Sequence, residues 1–297
     1  QALARVPFLA NATDIKITPL TGGITNLNYR LDTGGQSVVL RITGANTELL
    51  GIRREVEHAA NKAAGELGVA PEVLFFIEPE GYLVTRFVNG QHIPPEEMGR
   101  EDNLRRIAAK VRTFHQKAPP LAGEFNVFRR VEMLTRVSQS KNCKFPANFG
   151  WIQAKMRAVE EAFSHDPYTP TPIHGDLLNL NFLDENGEIF ILDWEYSGMG
   201  DIYFDLANFC HHHRFTDEQV RAWLAAYFGE ATPKRFARLK LMWPMSEVHE
   251  SMWGTTQTGI SKLDEDFQGY ADLWFGRATE AMSDPRWDEW LAEVSRP

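Results

Sequence analysis

The sequence predicts an α+β chain of two lobes, a small β-rich one over residues 1–88 and a larger helical one over residues 89–297. Three observations predict it. Residues 15–88 are dominated by short apolar or alternating runs of strand length, and most of the chain beyond residue 96 follows helical spacing. Between them "NGQHIPPEE", residues 89–97, breaks both patterns with Asn-Gly and Pro-Pro.

The strand runs are "IKITPL", "NLNYRLD", "SVVLRIT", "VLFFIE" and "YLVTRFV", punctuated by Gly22-Gly23 and Gly34-Gly35. One helix interrupts them. "TELLGIRREVEHAANKAAGELG" offers Thr47 as an N-cap and Gly68 as a stop, with Leu49, Ile52, Val56, Ala59, Ala60 and Ala63 close to one face. Downstream, helices are expected over 96–117, 128–140, 148–164, 203–228, 232–257, 261–281 and 285–294. The stretch "TPIHGDLLNLNFLDENGEIFILDWEYSGMGDIYFDLANFC", residues 171–210, is the exception, a strand pair set among helices and crowded with charge. A β-rich lobe joined to a helical one leaves a cleft between them, a usual place for a ligand.

Composition narrows the function classes. With 43% hydrophobic residues the chain can bury one large or two modest cores. No apolar run reaches the roughly 20 residues that span a bilayer, and no leader is expected, so a cytoplasmic protein without a membrane partner fits best. Cys143 and Cys210 stand far apart without metal-ligand spacing, which suits a reducing compartment. Forty acidic against 31 basic residues give a net charge of −9, which argues against nucleic acid as a partner and mildly favours a cationic small substrate.

The charged stretch reads as chemistry. In "HGDLLNLN", Asp176 is followed five residues later by Asn181, so a tight loop can aim a carboxylate at a nucleophilic hydroxyl and an amide at a metal. Asp193 follows the apolar strand Glu188 to Leu192 and its turn "DENG". Oxygen ligands on neighbouring strand ends suit Mg²⁺ bound with nucleotide phosphates. Asp and Asn also favour turns for their own sake. The joint order His-x-Asp-x-x-x-x-Asn, then an apolar strand ending in Asp, is nevertheless that of a kinase catalytic loop. Upstream, Gly22 and Gly23 offer a turn where backbone can approach phosphate, and Arg41 in "SVVLRIT" with Glu55 in the next helix offers a strand cation held by a helix carboxylate.

These motifs together resemble the choline/ethanolamine kinase branch of the aminoglycoside phosphotransferase-like kinases, whose fold is that of a two-lobed protein kinase, and the likeness runs over nearly the whole chain. "HGDLLNLN" is similar to the family's catalytic loop and "ILDWEYSGMGDIYFDLAN" to its metal-binding strand and following helix. "LTGGITNLNYRL", "VVLRITG", "LGVAPEVL" and "YLVTRFVNG" resemble its phosphate loop, cation strand, inter-lobe strand and hinge, the last implying Thr85 and Phe87 as nucleotide-binding residues. The resemblance implies ATP and Mg²⁺ as cofactors, Asp176 as the group that orients and deprotonates an acceptor hydroxyl, Asn181 and Asp193 as metal ligands, and Arg41 on the ATP phosphates with Glu55 as its partner. His174 and Asp205 are expected to brace the loop.

For the acceptor, "HESMWGTTQTGISKLDEDFQGYADLWF" resembles the segment that walls a quaternary ammonium, with Trp253 and Tyr270 at matching positions. Aromatics at helical spacing also serve as core. Two departures stand out: Glu250 occupies the place of a second cage tryptophan, and His212 that of an acidic residue. The run His211-His212-His213 forms no shared site, since adjacent helical positions point apart. The expected activity is transfer of phosphate to a cationic alcohol, choline first, with ethanolamine, thiamine or an aminoglycoside as alternatives. A non-catalytic nucleotide-binding module is the reading from another class, and a homodimer is allowed for.

Overall fold

The computed structural model describes residues 2–10, 12, 14–20 and 26–296, so Gly22 and Gly23 lie outside the described residues. The first half of the fold is an antiparallel sheet of five strands: β1 (Lys16–Leu20), β2 (Leu27–Thr33), β3 (Gln36–Ile42), β4 (Val73–Ile77) and β5 (Tyr82–Arg86), in the order β1-β2-β3-β5-β4. Gly34 and Gly35 both have positive φ, which closes the β2–β3 hairpin with Thr33 opposite Gln36. Leu31, Val38, Leu40, Ile77 and Val84 alternate onto one face and bury a small core with Val6 and Leu9.

The helix between β3 and β4 starts later than Thr47 suggests. Thr47–Leu50 form a single 3₁₀ turn that Gly51, at φ 74°, terminates, and α1 then runs over Arg54–Glu66. Gly68, also at positive φ, turns the chain out of it as expected.

The remainder is helical around a second strand group. β6 (Gln91–His92) is followed by α2 (Glu101–Lys117), β7 (Glu124–Phe125), α3 (Val127–Ser140) and α4 (Phe149–Ser164). Then come β8 (Thr171–Ile173), β9 (Phe182–Glu185), β10 (Glu188–Ile191) and β11 (Gly198–Gly200). The hairpin β9–β10 pairs with β6, and β11 lies between β7 and β8. The chain closes with α5 (Ile202–His212), α6 (Asp217–Phe228), α7 (Pro233–Ile260), α8 (Phe267–Met282) and α9 (Trp287–Val294). The large core fills between these helices, with Phe114, Phe182, Trp194, Phe209, Trp223 and Met245 all at 2% exposure or less.

Three expected helices have different bounds, each for a local reason. The segment 96–117 begins as a 3₁₀ turn at Pro95–Glu97 and becomes α-helical only at Glu101. The segment 203–228 is two helices, because Arg214 takes φ 52° and Thr216 with Gln219 forms a reciprocal capping box that starts α6. The segment 261–281 begins at Phe267, where the Asp266 side chain accepts from Gly269 N. Among the described residues no helix is long and apolar enough to cross a membrane.

Candidate active site

The loop between β8 and β9 holds Asp176, and its shape is set from behind. Gly175 has φ 86°, and a Cβ there would lie 2.7 Å from the Tyr196 carbonyl oxygen, so glycine is required on both counts. The Asp205 carboxylate, buried in α5, accepts from His174 N and Gly175 N, both at 2.8 Å, and from His115 Nε2 at 2.9 Å. Burial raises its pKa, but the His115 contact and these amides outweigh that and hold Asp205 below the ordinary carboxylate range. Asn208, one turn on, accepts from Leu177 N.

His174 completes the brace. Its Nε2 donates to Leu192 O at 2.8 Å while its Nδ1 accepts from Asp176 N at 3.1 Å, so the ring is neutral with its proton on Nε2. Burial pushes its pKa down to about 4, in agreement with a neutral ring. The ring thus ties the Asp176 loop to the end of β10, and Leu192 N, donating to Asn181 O at 2.8 Å, makes a second tie.

Asn181 Nδ2 donates to Asp176 O at 2.8 Å and reaches Asp176 Oδ2 at 3.4 Å, which turns its carbonyl oxygen away from that loop. Asp193 sits at φ 63°, a conformation that Asp tolerates and that swings its side chain off the strand line. It meets Arg41 Nη2 at 2.9 Å. Arg41 is 9% exposed and is also held by Glu57 and Glu195, each at 2.9 Å. Arg54 joins the same cluster, 2.5 Å from Glu57 and 3.3 Å from Glu195, and Asn26 Nδ2 donates to Glu195 at 3.0 Å. Burial alone would lower the Arg41 pKa, but Asp193, Glu57 and Glu195 more than reverse it and keep the guanidinium charged.

Glu57, and not Glu55, is therefore the carboxylate partner of Arg41. Glu55 is exposed and pairs with its neighbour Arg53 at 2.6 Å. The reason is the late start of α1: once Gly51 has ended the 3₁₀ turn, Glu57 faces the sheet and Glu55 faces solvent. Glu195 and Arg54 were missed by sequence reasoning altogether, although Glu195 lies only two residues beyond Asp193 on one loop. Thr85, on β5 opposite Val39, and Phe87, under the Arg30 guanidinium at 4.1 Å, lie where the sheet leads out toward β6. No hydrogen bond or ion pair among the described residues ties either to Asp176, Asn181 or Asp193.

The donor set suits Mg²⁺. It offers an amide oxygen at Asn181 and a carboxylate at Asp193, hard ligands that leave room for phosphate oxygens and water. Asp193 can turn from Arg41 toward a cation without orphaning the guanidinium, because Glu57 and Glu195 remain on it.

On the other side of Asp176 lie residues of α5, α7 and α8. Glu250 Oε2 accepts from the Tyr270 hydroxyl at 2.6 Å, and Trp253 packs edge-on against Tyr270 with ring centroids 5.4 Å apart. Trp274 extends the wall, 6.1 Å from Tyr270 and 5.3 Å from His212. His212 Nε2 stands 3.9 Å from both Asp176 Oδ1 and Glu250 Oε1. Its neighbours turn away: His211 bonds Ser246, and His213 bonds Phe209 O. Burial lifts Glu250 to about 7, and burial together with Glu250, Asp193 and Glu195 lifts Asp176 well above the ordinary carboxylate range. A carboxylate of raised basicity between the Arg41 cluster and the aromatic side chains of α7 and α8 can accept a proton from a hydroxyl.

Residues 16–239 match the model of the APH phosphotransferase enzyme family, and the chain belongs to that family. Within it, the chain is similar over nearly its full length to a choline/ethanolamine kinase family protein from Mesorhizobium loti. The crystal structure of that protein has a TM-score of 0.86 and 31% identity, covering 99% of this chain and 96% of that one. Choline kinase LicA from Streptococcus pneumoniae shares the fold, with a TM-score of 0.78 at 21% identity over 91% and 94% of the two chains. A LicA homolog of Metamycoplasma hominis is 29% identical over 159 residues, 54% of this chain and 61% of its own length. The chain is thus a choline/ethanolamine kinase-like phosphotransferase with a kinase-like fold, and Asp176, Asn181 and Asp193 lie in its matched part.

Proposed function

We infer that the chain transfers the terminal phosphoryl group of Mg·ATP to the hydroxyl of a small cationic amino alcohol, choline being the first candidate. The observation that carries this reading is the position of Asp176. One of its oxygens is within reach of the Asn181 amide on the metal side, and the other faces His212 and Glu250 on the aromatic side. A single carboxylate bordering both half-sites is what an in-line transfer between a nucleotide and an alcohol requires.

Each residue then has a stated task. Asn181 and Asp193 would hold Mg²⁺, which neutralises charge on the transferring group. Arg41, locked by Glu57 and Glu195, presents a fixed positive charge to phosphate. Asp176 orients the acceptor hydroxyl and takes its proton. Trp253 and Tyr270 offer ring faces to an ammonium, and the Glu250 carboxylate adds charge where a further ring face is absent. That carboxylate can also accept hydrogen bonds from N–H groups, which specifically favours ethanolamine as the second reading.

The test is ADP release measured with choline, ethanolamine, thiamine and kanamycin. Turnover highest with choline or ethanolamine supports the reading. Preference for thiamine or kanamycin overturns the acceptor class, and absence of turnover with any acceptor overturns the kinase reading.

A further inference from the structure

His212 carries a group that neither packing nor phosphoryl transfer accounts for. Its side chain is 10% exposed, and Nε2 has no hydrogen-bond partner among the described residues. That atom points at two carboxylate oxygens, Asp176 Oδ1 and Glu250 Oε1, each 3.9 Å away and too far to be bonded to it. The second oxygen of each acid is already engaged, Asp176 Oδ2 by Asn181 and Glu250 Oε2 by Tyr270. One ligating atom from each of the three residues lies within 4.8 Å of the others. They arrive from three separate elements: the loop after β8, the last turn of α5 and the middle of α7.

A buried ring nitrogen left unpaired beside two carboxylates is unfavourable unless something joins them. One imidazole and two carboxylates form a mixed nitrogen and oxygen set. It suits dications of the zinc class, whereas Mg²⁺ and Ca²⁺ prefer oxygen alone. Around a tetrahedral zinc with bonds of about 2.0 to 2.1 Å, neighbouring ligand atoms stand about 3.4 Å apart. The two distances from His212 need to contract by about half an ångström to match, and the two carboxylates, within 4.8 Å of each other, close around the same point.

We propose that Asp176, His212 and Glu250 form a binding site for a zinc-class dication, distinct from the nucleotide's metal at Asn181 and Asp193, and that an ion there closes the acceptor position. The metal site stands on the geometry alone. The closure rests on the acceptor reading above, because the ion claims the Asp176 oxygen that would meet the hydroxyl.

Co²⁺ is the probe, titrated into the full chain without nucleotide and in excess Mg²⁺, with visible absorption as the readout and Zn²⁺ as the displacing ion. The expected result is one bound equivalent. His212→Ala and the near-isosteric Glu250→Gln should each weaken it by at least about tenfold, and Asp193→Asn should leave it in place. A melting curve on each variant establishes that it is folded. Absence of a Co²⁺ spectrum overturns the site, as does unchanged affinity in both His212→Ala and Glu250→Gln, or equal loss in Asp193→Asn. An acceptor that the enzyme turns over should raise the apparent Co²⁺ dissociation constant in proportion to its own occupancy. Unchanged Co²⁺ affinity at saturating acceptor overturns the closure. Since the metal titration needs neither nucleotide nor acceptor, it decides the site even where the kinase assay fails.

Discussion

Replacing Glu57 by Gln tests the cluster that fixes Arg41. Glu57 is 4% exposed and makes two short ionic contacts, 2.9 Å to Arg41 and 2.5 Å to Arg54. Hydrogen bonds to charged groups contribute about 1.5 to 3 kcal/mol each. Arg41 retains Glu195 and Asp193, Arg54 retains Glu195, and the amide oxygen of Gln can still accept one bond, so the whole of both contacts is not lost. The expected cost is about 2 to 3 kcal/mol of stability, a melting temperature lower by about 3 to 5 °C for a chain of this length. Nucleotide affinity should fall by about tenfold as the guanidinium loses its fixed direction. Calorimetric unfolding and nucleotide titration read the two effects. Glu55→Gln is the internal control: its exposed pair with Arg53 is worth under about 1 kcal/mol, so both readouts should hardly move. If Glu55→Gln costs as much as Glu57→Gln, or if Glu57→Gln changes neither stability nor nucleotide affinity, the assignment of the Arg41 partner is wrong.

Asp176→Asn should lower turnover by about 10²- to 10⁴-fold while nucleotide affinity, measured by calorimetry, stays close to wild type; comparable turnover would remove Asp176 from its role. Asp193→Ala should weaken Mg·ATP binding together with turnover, and unchanged Mg·ATP affinity would refute its place as a metal ligand. Trp253→Ala should raise the apparent KM for choline by on the order of tenfold, one desolvated cation–π face being worth about 1 to 2 kcal/mol, with much less effect on saturated turnover. Glu247, 3% exposed with one oxygen on Trp243 Nε1, has its pKa pushed up to about 8 by burial. The folded chain holds that proton more tightly than the unfolded one. The group's stabilisation is therefore complete below the ordinary carboxyl range and is lost as pH climbs toward about 8, at up to about 1.4 kcal/mol per pH unit. Denaturant titrations from pH 5 to 8 should show wild type losing stability relative to Glu247→Gln as pH rises, and a pH-independent difference would refute it.

The strands and the loop that carries Asp176 were legible in the sequence because their signals are local. Alternation in "SVVLRIT" and "YLVTRFV" and the fixed offsets between His174, Asp176, Asn181 and Asp193 survive without knowledge of packing. His174 and Asp205 brace the loop as expected, through backbone amides and a carbonyl of the same segment, whereas the His115 contact of Asp205 comes from α2. What was not legible depends on where a helix begins. A two-residue choice between Glu55 and Glu57 turns on Gly51 ending one turn before α1 starts, and propensity hardly distinguishes those registers. The break between α5 and α6 was readable in principle, because Thr216 and Gln219 have capping-box spacing, but the apolar spacing on both sides conceals it. His212 was set aside because three adjacent histidines cannot share a site; the structure separates them and brings only His212 to Asp176 and Glu250. That meeting joins residues far apart in the chain, and no local pattern announces it.

Asp176, Asn181 and Asp193 stand on the loops around β8 to β10, whereas Glu250, Trp253, Tyr270 and Trp274 stand on α7 and α8. The two groups are contiguous in space and separated by more than fifty residues of chain. Substitutions on α7 and α8 can therefore reshape the aromatic side without disturbing the hydrogen bonds that hold the Asp176 loop, provided the core side of each helix keeps its packing. Such a molecule separates inheritance of a reaction from inheritance of a substrate. A substitution at Glu250, on one turn of α7, is the kind of step by which a lineage can trade one acceptor for another while its chemistry stays the same.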